Sequence, residues 1–443
     1  MLLRLYTLAH YLMLPLALLY LCWRGLKNAA YWRHWSQRFG FIEPLPEGRR
    51  ALWVHAVSVG EVQAGVPLVK MLRLQYPEAQ VLITTTTPTG ADRVRQAFDG
   101  DVPHAYVPYD VPGAVHRFLD RAHPELAIIM ETELWPNMFA SCRHRSIPVL
   151  VANARLSERA AARYRRVSAL VRTMLASVSA VAAQTVADAE RFIALGTAPE
   201  KVTVTGSIKF DFDVPAGLLP AARAMRVYWG SQRPVWIAAS THDAEDEQVL
   251  EAFARVLRAL SDTLLVLVPR HPERFDKVAA LCRRHGYGTA RRSQEPSACN
   301  TVDVFIGDSM GELLLFYAAS DVAFVGGSLV PVGGHNPLEP AALGIPIVMG
   351  PHLFNFAEIS TRLSAVGAAR IVHSARELAD VVIQFLQDDH RRHRMGEQGK
   401  RFVEQNRGAL AHVLTLADRL MTAPARAAGN IKPNTEGAVE RLL

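Results

Sequence analysis

The sequence has few cysteines and lacks several common catalytic motifs. Its 443 residues include only Cys22, Cys142, Cys282 and Cys299, and no two of them form a C-x-x-C pair. Such sparse cysteines predict reduced thiols and disfavour a disulfide framework or a cysteine zinc site. No G-x-x-x-x-G-K-[ST] phosphate loop, no G-x-G-x-x-G after a strand and no H-E-x-x-H occurs. These absences disfavour the usual kinase and dehydrogenase classes.

The composition is that of a globular protein with a basic balance. Half of the residues are hydrophobic and 21% are charged, and the length favours two or three domains. The net charge is +7 and the pI is about 9.3. A balance of this size indicates anionic partners, and composition alone leaves open nucleic acid, phospholipid headgroups or a phosphorylated substrate.

An apolar segment near the N-terminus predicts a membrane anchor at 1–27. The run from Leu5 to Trp23 is nearly free of charge and has about the length that crosses a bilayer core. Basic residues follow at once, namely Arg24, Lys27, Arg33 and Arg38. Basic flanks mark the cytoplasmic side, so the body is expected in the cytoplasm. No small-x-small site follows, which disfavours a cleaved signal peptide. The pattern leaves open whether the anchor spans the bilayer or lies in the interface.

Strands and helices alternate along the rest of the chain. The runs ALWVHAV and PVWIAAST each open a series of buried strands followed by helical patterns. Such alternation predicts an α/β fold with two doubly wound, Rossmann-like domains. We expect domains at 28–211 and 234–422, a linker at 212–233 and a disordered tail at 423–443. Two such domains predict a ligand-binding cleft between them.

A glycine-rich stretch, FVGGSLVPVGGHNPLEP from Phe324 to Pro340, is typical of a nucleotide pocket. Its glycine pairs allow close approach of a ligand, and Pro337 is predicted to be the first residue of a helix. The free N–H groups of that helix could hold a phosphate, while Glu339 could accept hydrogen bonds from ribose hydroxyls. The alternative is an ordinary strand-to-helix turn that Asn336 caps.

Carboxylates follow strands in the first half. Glu61 lies at the start of a predicted helix, and Glu131 and Glu133 follow the strand LAIIM. An ionised carboxylate in such a place could take a proton from a sugar hydroxyl. The helix dipole favours the ionised form of Glu61 whereas burial would raise its pKa, so the sequence leaves the direction of the shift open. The alternative is that Glu61 only complements the helix dipole.

Further candidates follow strands of the second half. Pro269 and Arg270 come after LLVLV, and Met310, Gly311 and Glu312 come after VDVFI. Arg270 has a fork suited to a phosphate, although a structural ion pair is the alternative. Met310 and Gly311 could offer an apolar face and backbone groups to a base.

Three further sequence features are weaker candidates for a functional site. Lys209, where the two halves meet, could reach a phosphate, although a lone lysine is more often solvated. The D-x-D sequence from Asp211 to Asp213 is a weak candidate for a cation site, and His242 with Asp243 is interpreted as a helix entry.

Many motifs in register carry a resemblance to a known family. They are HAVSVGE, TTTTPTG, METELWPN, ANARLS, TGSIKFD, STH, VPRHPERF, GDSMGEL, FVGGSLV, GGHNPLEP and MGPHLFNF. In this order, up to about Leu420, the chain closely resembles the 3-deoxy-D-manno-octulosonic acid (Kdo) transferases of Gram-negative bacteria. The resemblance implies a GT-B glycosyltransferase at the cytoplasmic face of the inner membrane. It implies a CMP-Kdo donor and a lipid A precursor (lipid IVA) as acceptor, with no metal, no cofactor and no nucleic acid.

The resemblance also implies roles for the candidate residues. Glu61 matches the proton acceptor, and Glu131 and Lys209 match groups that stabilise the transition state. The positions matching the CMP site are Pro269, Arg270, Met310, Gly311, Glu312, Asn336, Pro337, Leu338 and Glu339. Two alternatives remain. One is a UDP-dependent enzyme of the same fold, such as a 2-epimerase or a lipid disaccharide synthase, and the other is a membrane-tethered binding protein without turnover.

Overall fold

The structure is a computed structural model that describes residues 1–46, 48–212, 214–294 and 301–422. Contacts divide the chain into two units: Met1–Asp211 with the chain from Arg407 onward, and Phe212–Asn406. The predicted disordered tail at 423–443 lies outside the described residues.

The first unit is built on a parallel sheet whose central strands are buried, whereas the edge strand that ends at Val204 is largely exposed. The sequence runs that form it are rich in Val, Ile, Leu and Ala, as expected for strands covered on both faces. The strands are β1 (Ala51–His55), β2 (Gln80–Thr85), β3 (His104–Tyr106), β4 (Pro124–Met130), β5 (Val149–Ala154), β6 (Ala180–Ala183) and β7 (Val202–Val204). Their order is β3-β2-β1-β4-β5-β6-β7 and every pairing is parallel. All strands therefore end at the same edge, where ligands bind in open α/β sheets.

Helix α1 precedes the sheet, and the other helices of this part of the chain follow its strands. They are α1 (Leu2–Lys27), α2 (Val59–Gln75), α3 (Pro88–Phe98), α4 (Pro112–Ala122), α5 (Pro136–His144), α6 (Glu158–Arg165), α7 (Ser168–Leu175) and α8 (Val186–Ala194). Of these, α1 is long and apolar enough to cross a membrane, by length and composition only. Only 6% of its apolar window is buried in the protein.

The second unit repeats the architecture. Its strands are β8 (Val235–Thr241), β9 (Leu264–Pro269), β10 (Thr289–Arg291), β11 (Val304–Ile306), β12 (Val322–Val325), β13 (Ile347–Met349) and β14 (Ala369–Ile371). They are parallel in the order β10-β11-β9-β8-β12-β13-β14. Its helices are α9 (Leu218–Trp229), α10 (Asp246–Ala259), α11 (Phe275–Arg284), α12 (Leu313–Ala318), α13 (Leu338–Ala342), α14 (Ala357–Ala365), α15 (Ala375–Gln387) and α16 (Asp389–Gln405). The predicted pair of parallel α/β domains is confirmed.

The structure corrects the predicted linker at 212–233. Most of that segment is helix α9, which packs on the second sheet. The ring of Trp229 is fully buried, with its centroid 5.2 Å from that of Phe305. The weak periodicity of the segment concealed a helix that is held by one large buried side chain.

A second correction concerns the end of the chain, which the sequence pattern predicts to be part of the second domain at 234–422. The last described helix, α17 (Ala409–Thr422), instead packs on the core of the first unit through Val413 and Ala417. Asp211 holds its start, since its carboxylate oxygens accept hydrogen bonds from the N–H groups of Gly408 and Leu410, each at 2.6 Å. A carboxylate remote in sequence therefore provides the cap of this helix.

Replacing Asp211 by alanine is expected to lower the free energy of unfolding by about 1–2 kcal/mol, because two N–H groups at the start of α17 lose their acceptor. Urea denaturation of the full-length protein measures this change. The control is Glu78→Ala at an exposed position, which should change stability by less than about 0.5 kcal/mol. Equal effects of the two substitutions would contradict the capping role.

Candidate functional site

Glu61 is fixed at the start of α2 by a reciprocal set of hydrogen bonds. Ser58 precedes the helix, and its Oγ accepts from the Glu61 N–H at 3.2 Å. The Glu61 carboxylate accepts from the Ser58 hydroxyl at 2.9 Å and from the Val57 N–H at 3.0 Å. This capping box follows from the local S-x-x-E sequence and holds the side chain against the helix start.

Burial sets the electrostatics of Glu61. The residue is only 8% exposed, and this loss of solvent raises its pKa from an ordinary 4.5 to about 7. The hydrogen bonds from Val57 and Ser58 oppose the shift, while the nearby charges of Glu133 and Glu131 add to it. The direction that the sequence left open is therefore upward, because desolvation outweighs the donors.

A second capping box in the chain shows what burial contributes. In α15, the N–H of Glu377 donates to Ser374 Oγ at 3.2 Å, and its carboxylate accepts from the His373 N–H at 2.8 Å. The local motif is the same, but Glu377 is exposed. The two glutamates thus share a helix-capping role, and Glu61 differs from Glu377 by its burial beside other carboxylates.

An ion pair lies beside this carboxylate cluster. Glu131 follows β4, next to β1 in the sheet, and its Oε1 is 3.2 Å from Lys209 Nζ. Both side chains are partly buried. Glu131 adopts a left-handed backbone conformation with φ of 53°, which is uncommon for a residue other than glycine. Strained backbone of this kind clusters at functional sites.

The chain after β7 crosses the ends of its neighbouring strands and so places Lys209. The N–H of Thr205 donates to Ala183 O at 2.9 Å, and that of Ile208 donates to Asn153 Oδ1 at 3.1 Å. Asn153 is fully buried at the end of β5. The structure thus brings Lys209 to Glu131, and Glu131 is close enough to influence the pKa of Glu61.

In the second unit, the glycine-rich loop after β12 is organised by a carboxylate that sequence reasoning missed. Glu245 is fully buried and accepts four backbone hydrogen bonds. The donors are the N–H groups of Gly327, Ser328, Leu329 and His242, at 2.6, 3.0, 2.9 and 3.2 Å. Burial raises the pKa of Glu245 and the four donors oppose that shift. Its only sequence signal is a place after β8, the strand next to β12.

The glycines of this loop are required by the packing of the protein itself. A Cβ on Gly326 would lie 2.8 Å from Ser240 O and 2.9 Å from the Glu245 carboxylate. One on Gly333, which has φ of 108°, would lie 2.4 Å from the ring of Phe354. The glycine pairs therefore have a structural reason that needs no ligand, and their predicted role in ligand approach stays a prediction.

Two histidines stack against this loop. The rings of His242 and His335 are parallel with centroids 5.1 Å apart, and their Nε2 atoms are 2.8 Å apart. Burial lowers the pKa of His242 to about 4 and that of His335 to about 3. Both rings are therefore neutral at pH 7, so one Nε2 donates to the other. The interpretation of His242 as a simple helix entry missed this contact.

The predicted nucleotide residues after β12 form a capped turn. Asn336 Oδ1 accepts from the Leu338 N–H at 3.1 Å, and its Nδ2 donates to Glu339 Oε1 at 3.1 Å. Helix α13 begins at Leu338, one residue later than predicted, because Pro337 serves as its N-cap. Asn336 lies one residue before the N-cap, and its side chain accepts from the first helical N–H, which agrees with the structural alternative of a strand-to-helix turn held by Asn336.

Arg270 follows Pro269 at the end of β9, two strands from β12. Its side chain is exposed. Burial raises the pKa of Glu339, while the hydrogen bond from Asn336 and the positive charge of Arg270 oppose that rise. The structure thus places Arg270 and Glu339 within electrostatic reach of each other at one edge of the sheet.

The loop after β11 is tied by ion pairs. Glu312 accepts from Arg292 through two nitrogens, at 2.9 Å from Nε and 2.8 Å from Nη2, which lowers its pKa. Met310 is 68% exposed, and Gly311 has φ of 85°. The side chain of Met310 is thus accessible, whereas Glu312 already has a structural partner.

The weak D-x-D candidate is explained in part by structure. Asp211 caps α17, and Asp213 lies outside the described residues. Within the described ranges, no three His, Cys, Asp or Glu residues are arranged to hold a metal ion.

Comparisons with known proteins identify relatives of the whole chain. A family model described as 3-Deoxy-D-manno-octulosonic-acid transferase (kdotransferase) matches residues 33–212, and one described as Glycosyl transferases group 1 matches 242–402. The 3-deoxy-D-manno-octulosonic acid transferase of Haemophilus influenzae is 43% identical over 91% of this chain and 95% of its own length. That of Bordetella pertussis is 37% identical over 92% of this chain and 97% of its own.

A solved structure supports the fold alone. UDP-GlcNAc 2-epimerase from Neisseria meningitidis, bound to UDP-GlcNAc, aligns with a TM-score of 0.54 and 14% identity. The alignment covers 84% of this chain and all of the epimerase chain.

Replacing Glu245 by glutamine is expected to lower the free energy of unfolding by roughly 2–6 kcal/mol. The amide keeps one acceptor oxygen and turns an NH₂ group toward N–H donors, so that about two donors lose their partner at ~1–3 kcal/mol each. Chemical denaturation of the full-length protein gives the value. Glu247→Gln, an exposed change in the first turn of α10, the helix that Glu245 precedes, is the control. If Glu245→Gln were as stable as the wild-type protein, the proposed role of Glu245 in fixing the loop would be contradicted.

Proposed function

The chain belongs to the 3-deoxy-D-manno-octulosonic acid (Kdo) transferase family, and from that premise we propose a specific reaction, acceptor and general base. Membership means glycosyl transfer of Kdo in lipopolysaccharide synthesis. The proposal is that CMP-Kdo is the donor, that a lipid A precursor, lipid IVA, is the acceptor, and that Glu61 takes the proton. The observation that carries it is the burial of the Glu61 carboxylate at the start of α2 beside Glu131 and Glu133, and this burial raises the pKa of Glu61 to about 7.

In the proposed reaction, a primary hydroxyl of the acceptor attacks the anomeric carbon of Kdo and gives its proton to Glu61. The new carbon–oxygen bond forms on the face opposite the leaving CMP, whose phosphate oxygen keeps the electron pair of the broken bond, so the configuration inverts. A base with a pKa near the working pH is most effective, since it is ionised yet still basic. The bonds from Val57 and Ser58 leave lone pairs of the carboxylate free for the proton.

Lys209 and Glu131 are proposed to stabilise charge that develops in the transition state. Their ion pair at 3.2 Å orients the ammonium group before reaction, and an oriented charge in a partly buried site needs little reorganisation. Removal of Lys209 would also leave the Glu131 carboxylate unpaired beside Glu61, which would raise the pKa of the base further.

The donor is proposed to bind along the strand ends of the second unit. Arg270, exposed after β9, is suited to the single phosphate of CMP. The other residues of the proposed site are Pro269, Met310, Gly311, Glu312, Asn336, Pro337, Leu338 and Glu339. The Arg292 partner of Glu312 makes that side chain a support for the loop, and leaves backbone groups and Met310 for the base.

The protein is further proposed to be anchored by α1 at the cytoplasmic face of the inner membrane. The helix is apolar and barely buried. Arg24, Lys27 and Arg33 near its end supply the basic flank that favours this side.

Replacing Glu61 by glutamine should lower kcat about 10²–10⁴-fold, because the amide cannot accept the proton. The wild-type rate should fall as the pH drops through about 7, since protonation removes the base. Steady-state release of CMP from CMP-Kdo in the presence of acceptor measures both. Glu377→Gln alters the same capping motif at an exposed place and is the control. A Glu61→Gln rate within a few-fold of wild type would exclude Glu61 as the base.

Mass spectrometry of the lipid made from purified protein, CMP-Kdo and lipid IVA tests the proposed substrates. We expect a product heavier than the acceptor by one or more Kdo residues, and calorimetric binding of CMP in preference to UDP. Tight UDP binding without CMP binding would favour a UDP-dependent enzyme. Binding of CMP-Kdo without acceptor-dependent CMP release would favour a protein without turnover.

A further inference from the structure

Helix α1 has two distinct faces. One face rests on the first unit and is partly buried at positions three or four apart, namely Leu3, Tyr6, Thr7, His10, Leu14, Ala17, Leu18, Leu21 and Arg24. The opposite face exposes an apolar stripe of the same spacing, formed by Leu5, Leu8, Leu12, Leu16, Leu19, Trp23 and Leu26. Both faces of a helix that is apolar all round need to be shielded from water, and the protein shields only one face of α1.

Two hydrogen bonds attach the early part of α1 to the globular unit. The Tyr6 hydroxyl donates to Asp110 Oδ2 at 2.9 Å, and the Thr7 hydroxyl is shared between Asn137 Oδ1 and Leu3 O, each at 2.8 Å. Asp110 and Asn137 are 6% and 3% exposed. Asp110 also accepts from the N–H groups of Asn137 and Met138 at the start of α5. The carboxylate that caps α5 therefore also holds α1.

The first turn of α1 lies against the same unit. Leu3 lines a cavity of about 420 Å³ together with Ala140 of α5 and Leu170 and Met174 of α7. The first seven residues of the chain are thus placed beside α5 and α7.

The other end of α1 carries aromatic and basic groups. Trp32 packs on Gly25 so closely that a Cβ there would overlap its ring. Lys27 Nζ lies 3.9 Å from the ring centroid of Trp23, and Arg24 bonds to the Tyr31 hydroxyl. Trp, Tyr and basic side chains are the groups that favour the headgroup region of a membrane.

We infer that α1 binds an anionic phospholipid surface with its axis in the membrane plane and does not span the bilayer. A helix of 26 residues is about 39 Å long. If α1 spanned the bilayer, Tyr6 and Thr7 would lie near the periplasmic side, whereas the globular domain would lie on the cytoplasmic side, next to Lys27. Asp110 and Asn137 belong to that domain, so spanning and the two hydrogen bonds exclude each other.

The apolar character of the outward stripe and the basic groups at its end indicate that lipid covers it. The stripe is long, apolar and continuous, and its aromatic and basic end suits anionic headgroups. An in-plane helix with one face on protein and one in acyl chains has no uncovered apolar surface. The inference specifies the proposed membrane location and does not depend on the transferase reaction.

Cysteine labelling in membrane vesicles tests the orientation. In the background protein, Cys22 and Cys299 are replaced by serine so that they do not react with the label. Cys142 and Cys282 are kept, because both are buried. The reporter is Leu2→Cys, and the reference on the domain surface is Glu78→Cys. A membrane-impermeant maleimide should label both positions in inside-out vesicles and neither in right-side-out vesicles. Labelling of Leu2→Cys only from the periplasmic side would overturn the inference.

A cross-linking arm tests the docked contact directly in inside-out vesicles. A short bismaleimide should join Leu3→Cys to Ala140→Cys, since both positions line one cavity. Thr173→Cys with Ala140→Cys in that cavity is the positive control, and outward-facing Leu19→Cys with Ala140→Cys is the negative control. Failure of the Leu3 pair when the Thr173 pair forms would overturn the inference, whether or not the protein transfers Kdo. Cross-links between two copies through Leu19 would assign the stripe to self-association and also overturn it.

Discussion

The candidate site in the first unit depends on the burial of one carboxylate, Glu61, at a helix start. Glu61 is held by Ser58 and Val57 in a capping box that sequence alone specifies, and the same box recurs at exposed Glu377. What differs is the loss of solvent, which for Glu61 outweighs two donors and raises the pKa to about 7. The adjacency of β1 and β4 then brings Glu131 next to it, so that the carboxylate cluster follows from the strand order.

The second unit uses a buried carboxylate for the opposite purpose. Glu245 is more buried than Glu61 but accepts four N–H bonds, which fill its hydrogen-bonding capacity. A saturated carboxylate fixes the shape of a loop, whereas one with two donors keeps lone pairs for a proton. The number of donors, and not burial alone, therefore distinguishes a structural glutamate from a candidate base in this chain.

Local patterns predicted much of this fold, and long-range contacts account for what they missed. Strand runs such as LAIIM and the S-x-x-E start of α2 are local signals, and the structure has both elements. The return of α17 to the first unit was missed because its cap, Asp211, is almost 200 residues away. Glu245 and the stacked His242 and His335 were missed for the same reason. The direction of the Glu61 pKa shift required knowledge of burial, which no local pattern supplies.

The most direct test of Glu61 as the base is a measurement of its own pKa in the free protein. Carbon-13 NMR of protein labelled at glutamate side-chain carboxyls, with Glu61→Gln to assign the signal, follows its titration. Burial of Glu61 predicts a midpoint near 7, well above the ordinary 4.5. A midpoint close to 4.5 would show that the two donors and the helix dipole outweigh desolvation, and would contradict the central claim.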